Sequence, residues 1–176
     1  MTSSSIKIIG GGLAGCEAAF YLLSHGYEVD LYERKPLVDD GAHISQDLGE
    51  LVCSNSLKSE RLDNACGLLK EEMRKMDSIT MAAAKIAAVP GGNALTVDRD
   101  VFAHEITAKL TSFPSFHLHR EEIKEIPGGD VIIATGPLTS GPLLDALSAV
   151  VGKKNLAFYD ASAPIVKKDT LDFTKV

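Results

Sequence analysis

The chain has 176 residues, 45% of them hydrophobic and 24% charged, with a net charge of −6. That apolar share is enough for one buried core, and no apolar run approaches the ~20 residues of a membrane span. The acidic balance argues against a large nucleic-acid surface, and the polar start Met1-Thr2-Ser3-Ser4-Ser5 lacks the basic and apolar regions of a secretory leader, so the cytoplasm is the expected compartment.

In chain order, a strand is expected over 6–9, followed at once by Gly10-Gly11-Gly12-Leu13-Ala14-Gly15 and a helix over 13–25. A second strand over 28–32 runs into Glu33, 18 residues after Gly15. Strand, G-x-G-x-x-G, helix, strand and acid together make the dinucleotide-binding fingerprint. Gly10 serves the tight turn, Gly12 leaves a pyrophosphate room at the backbone, and Gly15 lets the helix pack close to the strand. Gly11, Leu13 and Ala14 complete a loop whose free N–H groups hold phosphate. Glu33 is expected to accept ribose hydroxyls, with Arg34 beside it as a further cofactor contact. A plain glycine turn would leave the third glycine and the spaced acid unexplained.

From about 35 to 61 the stretch reads as irregular. A loop of about 25 residues inside a compact domain is usually functional or disordered. This one holds Ala42-His43 and Glu50-Leu51-Val52-Cys53-Ser54-Asn55-Ser56-Leu57, which is not linker composition. An amphipathic helix follows over 63–76, with Leu68, Leu69, Met73 and Met76 near helical spacing. Lys58, Arg61, Lys70, Arg74 and Lys75 read as a solvated face, because Glu71 and Glu72 interleave with them. The alanine-rich run 79–88 is ambiguous, and Pro90-Gly91-Gly92 is a turn. A helix over 98–111 has Asp98 as its N-cap. Short strands are expected at 116–118 and 123–126, then a turn at Gly128-Gly129. A buried strand over 131–134 ends at Thr135-Gly136, followed by a helix over 141–150 and a short strand at 156–158.

The alternation of strands and helices gives an α/β fold with a mainly parallel, Rossmann-like sheet. The short strands between 115 and 135 interrupt it and fit a small three-stranded crossover piece, as in the FAD-binding halves of two-dinucleotide flavoproteins. Ile133-Ala134-Thr135-Gly136 resembles the A-T-G motif of that superfamily, in which the strand end and its glycine approach the cofactor. The three cysteines are odd in number and lack C-x-x-C spacing, which suggests thiols and neither a disulfide framework nor a zinc site. Cys16 and Cys66 are expected in the core. His117 and His119 read as solvent-facing rather than as ligands.

The glycine loop with Glu17-Ala18-Ala19, the block Glu50 through Leu57, Leu68 through Arg74, Val89 through Arg99, Ile133 through Ser140 and Tyr159 through Val166 together resemble the folate- and FAD-dependent tRNA (uracil-5-)-methyltransferases, the TrmFO family, over essentially the whole chain. The L-V-C-S-N-S block is the specific part. The glycine motif alone also fits the sister flavoproteins of tRNA wobble-uridine modification, the MnmG or GidA type. A third reading is a catalytically inactive FAD-binding remnant. The resemblance implies an FAD-binding domain over 1–160, truncated before the inserted and C-terminal parts of the family, with 161–176 starting the connection to an absent domain. It implies methylenetetrahydrofolate as carbon donor, NAD(P)H as the reductant of FAD, and tRNA as the substrate methylated at C5 of its T-loop uridine. It leaves the oligomeric state open.

The resemblance also maps a catalytic cysteine onto Cys53. A thiolate there attacks C6 of a uracil, forms an adduct or acts as a base, helped by Lys58 and Arg61 if they fold back. His43 is a candidate for hydrogen-bonding substrate or flavin, and Asn55 and Ser56 for positioning folate or flavin. Arg99 would contact FAD phosphate or cap its helix. A second family cysteine lies beyond Val176. Gly49-Glu50 and Gly91-Gly92-Asn93 depart mildly from the family pattern.

Overall fold

The computed structural model describes residues 5–38, 41, 43–137, 139–152 and 155–156. Its elements are β1 (Ile6–Ile9), α1 (Leu13–Ser24), β2 (Val29–Glu33), β3 (Ser56–Ser59), α2 (Ala65–Lys75), α3 (Ile79–Ile86), β4 (Ala88–Val89), β5 (Ala94–Val97), α4 (Arg99–Thr111), β6 (Phe116–Arg120), β7 (Val131–Ile133) and α5 (Gly141–Val151). Four strands form a parallel sheet in the order β6-β2-β1-β7. The expected α/β, Rossmann-like architecture is what the chain adopts.

Parallel strands need apolar cover because crossovers place helices against them. Here Ile8, Val29, Leu31 and Phe116 join Cys16, Ala19 and Leu23 of α1 and Phe102, Ile106 and Leu110 of α4 in one buried cluster. Gly15 makes the α1–β1 approach possible, since a Cβ there would lie 1.9 Å from the Gly10 carbonyl oxygen. Asp98 caps α4 as expected, accepting from the N–H groups of Asp100 and Val101 at 3.0 and 3.1 Å.

Several expectations change. The segment 123–126 forms no strand, so no three-stranded piece lies between 115 and 135. That connector must cross the sheet from β6 to β7, three strand spacings or roughly 14 Å, and return to the start of the sheet. Its Pro127 also has no N–H to give a ladder. A three-stranded antiparallel sheet does exist, in the order β3-β5-β4, within the excursion between β2 and α4. Its β3 lies in the stretch read as irregular. A bulge between Ser56 and Ser59, with Lys58 at φ 68°, hides the two-residue period there.

The alanine-rich run resolves into α3 and β4. Ser78 caps α3, and the Glu17 carboxylate of α1 accepts the Thr80 N–H at 2.9 Å and the Ser78 hydroxyl.

On α2 the expected faces are partly exchanged. Leu68, Leu69 and Met76 are 50%, 56% and 74% exposed, and Cys66 is exposed rather than core-facing. Lys70, read as solvated, is 6% exposed and donates to the carbonyls of Ser59 and Cys66 at 3.0 and 2.9 Å. The Cys66 carbonyl lies one turn back on α2 itself, and the end of β3 brings the Ser59 carbonyl to the same ammonium. Most of the expected strand at 156–158, and all of 161–176, lie outside the described residues.

Candidate functional site

The C-terminal ends of β1, β2 and β7 open into a cleft of about 360 Å³. In doubly wound sheets this edge is where ligands bind. Of the residues singled out in the sequence, Gly10, Gly11, Gly12, Leu13, Ala14, Glu33, Arg34, His43, Thr135 and Gly136 all line it. Val52 lines it as well, and its neighbour Cys53 is exposed. Gly15 lies behind the loop, against the Gly10 carbonyl.

The glycine loop is shaped to receive an anion. A Cβ on Gly12 would meet no atom within 4 Å, so the space above it is open to the cleft. Gly10 has φ 104°, and a Cβ there would lie 2.6 Å from the Ala134 carbonyl oxygen, which locks the loop to the end of β7. No side chain caps α1 at Gly12, and its first turn carries no acid. The partial positive charge of the helix start therefore faces the cleft with its first turn uncapped by any side chain. These residues fit a pyrophosphate.

Glu33 is only 7% exposed and accepts from the N–H of Gly11 at 2.8 Å and of Lys35 at 2.9 Å. A carboxylate offers about four acceptor sites, so capacity remains for ribose hydroxyls. Across the cleft the Thr135 and Thr139 hydroxyls share a 2.6 Å hydrogen bond that shapes the Thr135-Gly136 turn. Beneath the loop, the Cys16 thiol donates to the Gly11 carbonyl at 3.4 Å. Burial, with Glu33 and Glu17 nearby, pushes that thiol up to about 12. Cys16 is a packing residue and not a nucleophile.

The segment around Cys53 is ordered by its own serines. The Ser54, Ser56 and Ser59 hydroxyls accept from the N–H groups of Ser56, Lys58 and Arg61 at 3.0, 3.2 and 3.1 Å. Asn55 contributes its carbonyl, which accepts from Val97 N–H at 2.9 Å. The Arg99 guanidinium donates to the Leu51 carbonyl at 3.2 Å, so it ties down the chain two residues before Cys53 and is not among the cleft-lining residues. Arg61 pairs with Asp63, Nε to Oδ1 at 3.1 Å, rather than reaching back to Cys53. Arg74 pairs with Glu60 and Glu71. Of the basic residues of this region, Arg61 and Arg74 are thus paired with acids, and the Lys70 ammonium is held by two carbonyls.

Sequence reasoning gave no role to Lys35, Thr107 or Arg120, which organise the chain leading to Cys53. Leu48 N–H donates to the Thr107 hydroxyl at 2.8 Å. Burial pushes the Glu50 carboxyl up, but the N–H groups of Ile44 and Ser45 and the Lys35 ammonium outweigh it and hold it below the usual 4.5. Glu50 stands inside the E-L-V-C block.

Comparison with known proteins finds that residues 5–176 match the family model described as Glucose inhibited division protein A (GidA). A relative from Syntrophus aciditrophicus, Methylenetetrahydrofolate--tRNA-(uracil-5-)-methyltransferase TrmFO, is 52% identical over 99% of this chain and 40% of its own length. The protein of the same name from Anoxybacillus flavithermus is 51% identical over 97% of this chain and 40% of its own. The chain thus spans about 40% of the length of these curated relatives. Among solved structures, Aquifex aeolicus GidA superimposes with a TM-score of 0.60 at 15% identity, over 76% of this chain and 25% of that one.

Proposed function

The chain belongs to the GidA family, and on that premise we propose that it is the FAD-binding part of a folate-dependent tRNA (uracil-5-)-methyltransferase, forming ribothymidine in the T-loop. The observation that carries this reading is identity of about half, along nearly the whole chain, to proteins named for that reaction. The wobble-uridine reading shares the glycine loop and the family, but the L-V-C-S-N-S block and these relatives favour the methyltransferase.

FAD fits the cleft for the reasons given by its residues. The N–H groups of Gly12 through Ala14 hold the pyrophosphate, Glu33 takes ribose hydroxyls, and Arg34, Thr135 and Gly136 bound the site. Bound flavin would supply the reducing equivalents that complete the methyl group. Methylenetetrahydrofolate is the proposed carbon donor, NAD(P)H the reductant, tRNA the substrate and the cytoplasm the setting. Cys53 is the proposed catalytic thiol, exposed and one residue from the cleft lining. We assign 1–160 to the FAD-binding unit and 161–176 to a connection.

The test is a chimaera. This chain replaces the matching segment of the Syntrophus aciditrophicus relative, and ribothymidine is measured in tRNA from a host lacking the activity. Methylation, lost on Cys53→Ala with flavin retained, is the expected result. A soluble, flavin-loaded chimaera that leaves tRNA unmethylated would overturn the reading.

A further inference from the structure

A closed ring of contacts joins the glycine loop to the segment that carries Cys53. Gly11 N–H donates to one Glu33 oxygen at 2.8 Å, and Lys35 N–H to the other at 2.9 Å. The Lys35 ammonium pairs with Glu50 at 3.0 Å and donates to the Asp47 carbonyl at 2.9 Å. Glu50 accepts from the N–H groups of Ile44 and Ser45 at 2.8 and 3.0 Å. Gly49 N–H then returns to the Gly11 carbonyl at 2.8 Å. Arg120, at the end of β6, braces the ring by donating to the carbonyls of Lys35 at 3.0 Å and Gln46 at 2.5 Å.

The side chains of Lys35 and Glu50 are 7% and 9% exposed. A buried pair is a poor route to stability, because desolvation offsets much of the attraction. Its better-attested use is to fix one arrangement of the chain. Here it fixes which backbone lies against Gly11, three residues before Val52 lines the cleft and four before Cys53.

We propose that Lys35 and Glu50 are positioning residues that couple occupancy of the glycine loop to the placement of Cys53. An anion on the loop draws on the Gly12 N–H, which shares one planar peptide group with the Gly11 carbonyl that holds Gly49. Ordering one side orders the other through the ring. The coupling is reciprocal, so modification of Cys53 in turn changes nucleotide affinity.

This rests on the dinucleotide reading of the cleft, and the experiment separates the two. The full chain carries Cys66→Ser, so that Cys53 is the exposed thiol, and alkylation of Cys53 by iodoacetamide is timed with and without saturating ADP. ADP binding is measured separately by calorimetry. In the parent, ADP slows alkylation on the order of fivefold. Lys35→Met alkylates faster without nucleotide, still binds ADP and loses the ADP response, whereas Lys35→Arg keeps it. Glu50→Gln, which retains the shape and an acceptor for the loop N–H groups, gives the same answer should Lys35→Met fail to fold. An equal ADP response in parent and folded variants overturns the coupling, as does a parent that binds ADP with no response. A parent that binds neither ADP nor FAD overturns the cleft reading instead. The basal alkylation rates then still decide whether Lys35 and Glu50 position Cys53.

Discussion

Two glycines of one motif make opposite demands, and substitutions separate them. Above Gly12 there is only open cleft, so Gly12→Val keeps its melting temperature and loses flavin and ADP binding. A Cβ on Gly15 collides with the Gly10 carbonyl, which is backbone and cannot swing away. Gly15→Ala is therefore expected to cost about 1–3 kcal/mol through forced backbone shifts. Thermal melts with calorimetric ADP titration check both; a bound nucleotide in Gly12→Val would contradict the phosphate path. Cys16 gives a pH signature. Its folded thiol holds its proton up to about 12, while the unfolded thiol releases it near the ordinary 9.0. Stability from this group is complete below pH 9 and declines between about 9 and 12, by about 1.4 kcal/mol per pH unit. Cys16→Ala should flatten that alkaline limb in urea melts relative to the parent.

At the scale of elements, what was legible depended on how far apart the deciding residues lie. β1, β2, β7, α1 and α4 were readable because period, glycine spacing and the Asp98 cap are all local. The start of α3 was not, since the acceptor for Thr80 N–H is Glu17, 63 residues away on α1. Glu17→Ala leaves that buried N–H unsatisfied and should lower stability by about 1–3 kcal/mol, with Glu17→Gln intermediate. Equal melting temperatures in all three proteins would show that α3 needs no such cap. β3 escaped notice because its bulge breaks alternation, and Lys70 because its Ser59 acceptor sits on that same strand. The candidate site divides in the same way. Its glycine loop, Glu33 and Thr135-Gly136 stand at motif spacing, but the ring through Lys35, Glu50 and Gly49 is visible only after folding.

At the scale of the whole molecule, the cleft is built chiefly from groups that suit one end of a dinucleotide. On the proposed reading, the loop N–H groups and open Gly12 serve phosphates, Glu33 serves a ribose, and Thr135-Gly136 closes the side. The curated relatives are about two and a half times as long as the share matched here, so they have ample further chain with which to grip the flavin ring. On this chain alone the ring should contribute little. ADP and FAD are then expected to bind within about tenfold of each other, a difference of about 1.4 kcal/mol or less. Side-by-side calorimetric titrations, with light scattering to establish a monomer, measure it. Tight binding of FAD with ADP a hundredfold weaker would mean that residues within this chain hold the flavin ring, and that Val52, His43 and the Cys53 segment supply more of the site than the nucleotide end.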